Sequence, residues 1–268
     1  MNSTILFIIL ASVIIVLFVS KLIFSSRKKI PYRTRKILEH SLDIELEKGN
    51  EEDFTLRAKE REKLKDYKGA LEDYDIVIKN FSPDYEIFFR RGIAKTKLND
   101  FNGAISDFSS AINLNMEEPS AYYARGLCYS HSKLYEDAII DYSKAIERGI
   151  KEIIIFYHRA KAYIELNLFV EAKKDFQNYL NHKPDSSEAN YYIGFCDYSL
   201  GNYKESLNKL NKCIDLNPSH EAAYFYRALC KKELNDLDGC CKDLDIALKK
   251  GHLLAYHYIK QYCKEQKN

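Results

Sequence analysis

Tryptophan is absent from the 268-residue sequence, and glycine and proline are scarce, with 10 and 5 copies. Because glycine and proline often interrupt regular structure, their scarcity favours a mostly helical chain with short connections. A net charge of +2 at pH 7 argues against a nucleic-acid-binding protein by charge alone. The sequence also lacks a P-loop, a nucleophile elbow and a dinucleotide-binding fingerprint. We therefore predict no enzymatic activity, no catalytic residues and no cofactor.

Basic residues are missing before the long apolar run at the N-terminus but are frequent after it. The run covers residues 5–24, and its 20 residues include one charge, Lys21. A helix of that length spans roughly 30 Å, the thickness of a bilayer core. The basic residues between Arg27 and Lys36 predict a single-pass membrane protein with its N-terminus outside and the remainder in the cytoplasm. A cleaved signal peptide is the alternative, although no basic segment precedes the run and no A-x-A-like site follows it.

The rest of the sequence repeats itself every 34 residues. Small residues recur at this spacing, and these are Ala70, Ala104, Ala138, Ala172, Ser206 and Cys240. Bulky residues recur as well, for example Tyr67, Phe101, Tyr135, Phe169, Tyr203 and Leu237. Six units fit between Glu51 and His252 without insertion or deletion. Such a period indicates stacked helical hairpins, because one hairpin cannot bury its apolar faces alone.

These residues resemble the tetratricopeptide repeat (TPR) family, whose pattern alternates aromatic and small residues and ends in proline. The fifth unit, "ANYYIGFCDYSLGNYKESLNKLNKCIDLNPSH", has Pro218 in the place of that proline. The resemblance implies an all-α fold, a right-handed α-solenoid of six TPR hairpins (51–252) with a C-terminal capping helix (253–268). A transmembrane anchor (1–24) and a basic linker (25–50), with a possible helix at 36–48, would precede the repeats.

Arginine and aspartate also follow the repeat. With each unit numbered 1 to 34 from Glu51, position 7 is arginine and position 23 is aspartate in the same five units, while the fifth unit has Ile193 and Lys209 there. The predicted pairs are Arg57–Asp73, Arg91–Asp107, Arg125–Asp141, Arg159–Asp175 and Arg227–Asp243. In an antiparallel hairpin these two positions lie roughly opposite each other. We predict half-buried ion pairs that fix the hairpin register, because the planar guanidinium favours bidentate contact with a carboxylate.

Most of the seven cysteines stand where the repeat needs a small apolar residue. These are Cys128, Cys196, Cys213, Cys230 and Cys240. We expect buried free thiols in a reducing compartment. The sequence Gly239-Cys240-Cys241 is not a C-x-x-C motif, and the histidines are scattered. We therefore expect no metal site.

In the TPR family the first helix of each hairpin lines a concave surface, and positions 5 and 9 face it. Here these positions are mostly aromatic or large and apolar, and residues four apart form a continuous stripe on a helix. The predicted peptide-binding residues are Phe89, Tyr123, Tyr157, Tyr191, Phe225, Ile93, Leu127, Phe195 and Leu229. The alternative is that these rings pack against the next repeat. A clamp for acidic chaperone tails is disfavoured, because Arg90 is an isolated match to its basic residues.

The resemblance implies a membrane-tethered TPR adaptor or scaffold that binds a protein or peptide partner on its concave groove. One alternative is a structural or assembly component of a membrane-associated complex, whose groove takes part of that complex or a second copy of the chain. Another is an exported TPR protein with a cleaved signal. The sequence leaves open the identity of the partner and the oligomeric state.

Overall fold

The computed structural model describes residues 36–38, 41 and 49–263. Thirteen α-helices follow one another from Glu51 to Tyr262, and the described residues contain no β-strand. The helices are α1 (Glu51–Lys63), α2 (Tyr67–Asn80), α3 (Tyr85–Lys97), α4 (Phe101–Leu114), α5 (Pro119–His131), α6 (Tyr135–Glu147), α7 (Ile154–Glu165), α8 (Phe169–His182), α9 (Ser187–Ser199), α10 (Tyr203–Leu216), α11 (Glu221–Glu233), α12 (Leu237–Lys249) and α13 (Leu254–Tyr262). The prediction of an all-α TPR solenoid is confirmed.

The predicted transmembrane anchor, residues 1–24, lies outside the described residues. Within the residues that the structure does describe, every helix is too short or too polar to cross a bilayer. This finding contradicts the predicted single-pass membrane localisation, with its outside N-terminus and cytoplasmic repeats. That prediction is withdrawn.

The chain divides after Cys128 into two compact units. In the first unit, α1 pairs with α2 and α3 with α4, and α2 packs against α3. In the second unit, α7 to α12 form three hairpins in which each helix packs against the next, and α13 packs on α12. Side chains at the hairpin interfaces are fully buried, including Tyr74, Phe108, Phe176, Leu210 and Leu244.

Small residues are needed where the two helices of a hairpin approach most closely. A methyl group added at Gly92 would lie 2.7 Å from Cε1 of Phe108, and one at Gly194 would lie 2.8 Å from Cγ of Leu210. Such distances are well inside van der Waals contact. The 34-residue alternation of small and bulky residues therefore records the close packing of each hairpin.

The turn inside each hairpin uses the left-handed backbone conformation at the same repeat position. Position 15 has φ between 59° and 65° in five hairpins and 78° in the fifth, where it is glycine. These residues are Lys65, Asn99, Lys133, Asn167, Gly201 and Asn235. In the first hairpin the amide of Lys65 donates to the carbonyl of Glu62, and the amide of Asp66 donates to that of Arg61. This Schellman motif ends the first helix and starts the return.

Four of the predicted arginine–aspartate pairs are present as two-point contacts. Arg227 donates from Nε and Nη2 to the two carboxylate oxygens of Asp243 at 2.8 and 2.6 Å. The same arrangement joins Arg57 to Asp73, Arg91 to Asp107 and Arg159 to Asp175. The fifth predicted pair, Arg125 and Asp141, falls on residues of the two different units and stays a prediction.

The third nitrogen of these arginines binds the preceding hairpin, a contact that the sequence interpretation did not include. Nη1 of Arg91 donates to Asp75 at 2.7 Å, and Nη1 of Arg159 donates to Ser143 at 2.8 Å. The acceptor lies 16 residues before the arginine each time, and the same contact joins Arg227 to Asn211. Each arginine therefore links two hairpins as well as the two helices of its own.

The expectation of free thiols is correct for five cysteines and wrong for two. Cys128, Cys196, Cys213, Cys230 and Cys240 are free and buried. Cys241 of α12 and Cys263 at the end of α13 form a disulfide bond with a Cα–Cα distance of 5.7 Å. The sequence hid this pair because neither cysteine belongs to a spaced motif. Only the packing of α13 on α12 brings the two together.

Candidate functional site

In the first unit, the predicted site residues Phe89 and Ile93 line a pocket of about 280 Å³ on α3. The Phe89 ring stacks on Tyr85 with centroids 5.5 Å apart, and it contacts the buried Phe108 at 5.7 Å. Tyr123 of α5, also predicted, is half-buried. Phe89 and Ile93 thus share one pocket, with Phe89 anchored to the core of its own hairpin.

Charged residues surround this pocket, and their signs balance. Arg90 binds Glu86 at 2.7 Å and Glu62 at 3.0 Å, and Lys59 binds Glu86 at 3.0 Å. Hydrogen bonds from Arg90 and then Lys59 lower the pKa of Glu86. With two cations paired to two carboxylates, the pocket offers no net charge to a ligand. Leu127, the remaining prediction in this unit, is half-buried.

In the second unit, five aromatic side chains of α7, α9 and α11 form a connected patch. They are Tyr157, Tyr191, Tyr192, Phe195 and Tyr226, which we call the aromatic surface. Tyr192 joins the Tyr157 and Tyr191 rings at centroid distances of 5.9 and 5.1 Å. Tyr226 joins the Tyr191 and Phe195 rings at 6.1 and 5.0 Å. All five side chains are half-buried, so part of each ring remains accessible.

The aromatic surface is fixed by rings from the hairpin core. Phe176 of α8 is fully buried and stacks on Tyr192 with centroids 5.0 Å apart and an interplanar angle of 4°. The same phenylalanine meets Tyr157 edge to face at 5.4 Å. Offset and edge-to-face contacts are the favoured geometries for aromatic rings. The surface is therefore organised before any ligand arrives.

The tyrosines of this surface are neutral around pH 7. Burial, and then neighbouring acidic groups, raises the pKa of Tyr157 and of Tyr191 above the ordinary 10.0. Two charged groups stand beside these rings: the Lys161 ammonium lies 5.7 Å from the Tyr192 centroid, and the Glu188 carboxylate lies 3.5 Å from His220. His220 itself packs on Tyr191 at 4.5 Å. The surface thus combines apolar ring area with neutral hydroxyl groups.

Two predicted site residues are not accessible. Phe225 and Leu229 of α11 are 4% and 6% exposed. The covering groups are His252, whose ring stacks on Phe225 at 4.1 Å, and Tyr258 of α13, which meets Phe225 edge to face at 5.2 Å. The sequence placed Phe225 on the correct helix face, but the stripe of positions 5 and 9 did not indicate this cover.

The sequence interpretation also missed Tyr192 and Tyr226. Both stand at position 6, next to the predicted position 5, and each contacts the position-5 ring of the preceding hairpin. This contact supports the alternative in which the position-5 rings pack against the next repeat, yet the rings remain partly accessible. Recurrence of tyrosine at position 6 in two adjacent units was the available signal. As for metals, the described residues contain no group of three or more histidine, cysteine or acidic residues placed to hold an ion.

Comparison with known proteins places these hairpins among tetratricopeptide repeats. Family models described as tetratricopeptide repeat match residues 89–152 and residues 187–220. No curated protein is similar enough in sequence to be named as a relative.

Several solved structures share the fold at low sequence identity. One is YrrB, described as a TPR protein with an unusual peptide-binding site, which has a TM-score of 0.65, 21% identity, and coverage of 71% of this chain and 99% of YrrB. The C-terminal part of a TPR repeat-containing protein from Cytophaga hutchinsonii has a TM-score of 0.68, 15% identity, and coverage of 88% and 95%. MamA from Desulfovibrio magneticus RS-1 has a TM-score of 0.60, 10% identity, and coverage of 64% and 97%.

The TPR fold is a protein-interaction scaffold, and nothing in these comparisons points to catalysis. The family models and the solved structures together support the assignment of this chain to the tetratricopeptide repeat family.

Proposed function

We propose that the chain is an interaction scaffold that binds an apolar peptide segment on the aromatic surface of α7, α9 and α11. The observation that carries the proposal is the set of half-exposed rings held in place by the buried Phe176. Because these rings are already positioned, a ligand pays little to order them on binding. Aromatic side chains dominate the binding energy of many protein interfaces.

The chemistry of the surface defines the class of partner. Its tyrosines are neutral, and the two charges beside it, Lys161 and Glu188, are of opposite sign. A segment with large apolar side chains and low net charge fits this surface better than an acidic or a basic tail. YrrB, whose description names a peptide-binding site, supports the proposal at the level of the fold alone.

The test uses a peptide selected from a random 12-residue display library against the full chain. Calorimetry then compares its affinity for the wild type and for the Tyr157→Ala/Phe195→Ala variant. We expect the double change to weaken binding by at least thirtyfold, since two anchors each contribute about 1–2 kcal/mol. Circular dichroism checks that helicity is kept.

The matched control removes two apolar side chains elsewhere in the same unit. Ile140 and Val170 are 52% and 63% exposed, and the Ile140→Ala/Val170→Ala variant should bind the peptide as the wild type does. Equal binding by both variants, or equal loss in both, would contradict the proposal.

The pocket of the first unit is proposed as a second contact of the same kind, through Phe89, Ile93, Tyr123 and Leu127. Its charges are balanced by Arg90, so it too offers apolar area without net charge. An Ile93→Ala change should weaken a peptide that was selected on the isolated effect of this pocket, namely one that still binds the Tyr157→Ala/Phe195→Ala variant.

The disulfide favours one of the alternatives, a chain that works in an oxidising compartment. Structural disulfides persist in such compartments and are rare in the cytosol. Thiol alkylation of the natively isolated chain, unfolded without a reductant, decides the matter. Five labelled cysteines mean that Cys241 and Cys263 are paired, and seven mean that they are reduced where the protein works.

A further inference from the structure

We propose that the Cys241–Cys263 disulfide is a redox-controlled latch that holds α13 over an extension of the aromatic surface. This inference rests on the proposed peptide-binding function and adds its regulation. In the oxidised chain the latch is closed and Phe225 and Leu229 are covered. Reduction releases α13 and makes both residues available to a ligand.

The covered residues are equivalent to accessible ones in the preceding hairpin. Phe225 and Leu229 occupy positions 5 and 9 of the sixth repeat, as Tyr191 and Phe195 do in the fifth. Tyr191 and Phe195 are half-buried, whereas Phe225 and Leu229 are almost fully buried. The Phe225 ring also contacts Tyr226 of the aromatic surface at 5.4 Å. Uncovering these two residues would therefore lengthen the same surface by one repeat.

Helix α13 is held weakly apart from the disulfide. Ala255 is its one fully buried residue, and Leu254 and Tyr256 are 63% and 53% exposed. Its remaining contacts are partial, through Tyr258 and Ile259 against the core of the sixth hairpin. The bond at Cys263 fixes the C-terminal end of α13 to α12. A helix of nine residues with so little burial depends on that bond for its docking.

The repeat shows what ordinarily stands at this place. Cys241 is at position 21 of its repeat, and so is Lys173, which binds Asp197 of the next hairpin. Asp197 is at position 11 of α9, and Cys263 is the equivalent residue of α13 when Ala255 is aligned with the buried Ala189 and Ala223. The same junction is therefore closed by an ion pair between the fourth and fifth hairpins and by a disulfide at α13. A reductant breaks the disulfide and leaves the ion pair intact.

The opening step is thiol–disulfide exchange with a dithiol reductant. A thiolate of the reductant attacks one sulfur of the Cys241–Cys263 bond, which breaks and leaves a mixed disulfide. The second thiol of the reductant then displaces the remaining cysteine. The reductant becomes a disulfide, and its two electrons and two protons end on the Cys241 and Cys263 thiols. Both cysteines are half-buried and not fully enclosed, so the exchange does not require unfolding of the repeats.

Hydrogen exchange of the full chain tests the latch without a peptide. Closing a loop of this size contributes a factor of about 100 to the local closing equilibrium. We expect amides of 254–262 to exchange about a hundredfold faster in dithiothreitol, or in the Cys241→Ser/Cys263→Ser variant, than in the oxidised wild type. Amides of α9 should not change. Equal exchange of 254–262 in the oxidised and reduced chains would overturn the latch.

Two further variants separate the latch from other effects of a reductant. Cys213 is a buried free thiol at a position that is alanine in three other repeats, so Cys213→Ala should respond to dithiothreitol as the wild type does. Tyr258→Ala should uncover Phe225 in the oxidised chain and raise the fluorescence of anilinonaphthalene sulfonate, an apolar dye. No dye response to either reduction or Tyr258→Ala would contradict the claim that α13 covers an apolar surface.

Peptide binding then distinguishes failure of the latch from failure of the proposed function. The library selection is run on the reduced chain, and the selected peptide should bind at least tenfold more weakly to the oxidised chain. A peptide that binds both states equally, and still needs Tyr157 and Phe195, overturns the latch and keeps the function. A chain that selects no peptide in either state, but opens on reduction, overturns the function and keeps α13 as a redox-released helix.

Discussion

Lys173 of α8 lies 2.5 Å from the carboxylate of Asp197 in α9, and this ion pair joins the fourth hairpin to the fifth. The Asp197 side chain is 1% exposed, whereas that of Lys173 is 38% exposed. The fifth repeat is the one that lacks both the arginine at position 7 and the aspartate at position 23. Its buried carboxylate has moved to position 11, and the cation comes from the neighbouring hairpin.

Lys173→Met should lower the free energy of unfolding by about 2 kcal/mol, because it leaves the buried Asp197 carboxylate without this cation. The loss is smaller than for a fully buried pair, since solvent reaches the lysine. Urea denaturation measures it as a lower midpoint at unchanged slope. Lys174→Met, on the exposed neighbouring residue, should change stability by less than about 0.5 kcal/mol. Equal effects from the two lysines would show that the pair contributes nothing.

Arg159→Leu should cost more than Arg227→Leu. Asp243 keeps a second cation, Lys231 at 2.8 Å, when Arg227 is removed. Among the described residues Asp175 has Arg159 as its one cationic partner within 4.0 Å, because Tyr163 stands where the sixth repeat has Lys231. We expect losses of about 3–4 kcal/mol for Arg159→Leu and about 2 kcal/mol for Arg227→Leu.

A double-mutant cycle checks the cause of this difference. Arg159→Leu/Asp175→Leu should recover part of the loss, because it removes the stranded carboxylate with its partner. Additive effects of the two changes would contradict a direct pair. So would a larger loss at Arg227 than at Arg159.

Exchange of the turn residues at position 15 should move stability in opposite directions. Lys133 has φ = 61°, a conformation that an L-residue adopts at a cost, so Lys133→Gly should stabilise by about 0.5–1 kcal/mol. Gly201 has φ = 78° and open space around its Cα, so Gly201→Lys should destabilise by about 1 kcal/mol through the backbone alone. Thermal unfolding measures both variants. A destabilised Lys133→Gly would contradict the left-handed turn.

Much of the fold could be predicted because each hairpin repeats one local solution. Gly92 and Phe108 must stand 16 residues apart for the helices to touch, and this constraint fixes the period seen in the sequence. The pairing of Arg91 with Asp107 could be predicted for the same reason. The bond from Arg91 to Asp75 was missed, although small polar residues recur 16 positions before the arginines as a readable signal.

The aromatic surface could be predicted only in part, because accessibility depends on neighbours outside the repeat unit. Tyr191 and Phe225 have the same repeat position, yet α13 covers Phe225 and leaves Tyr191 half-buried. The disulfide was missed for a related reason. The last junction is two residues shorter than the others, so Cys263 does not fall on the 34-residue register.

The five free thiols should resist alkylation in the native chain. Burial raises the pKa of Cys196 and Cys213 to about 12, and that of Cys230 and Cys240 to about 11, so the reactive thiolate is scarce at pH 8. Iodoacetamide should label none of them in the folded chain. After native reduction it should label Cys241 and Cys263 alone, as peptide mapping by mass spectrometry can show. Rapid native labelling of a free thiol would contradict its burial.

The most direct test of peptide binding on the aromatic surface is a hydrogen-exchange footprint of the chain with a library-selected peptide bound. The proposal predicts slower exchange in α7 and α9, which carry Tyr157, Tyr191 and Phe195, with no change in α8 and α10. Protection confined to α8 and α10, or no protection in α7 and α9 at saturating peptide, would contradict it.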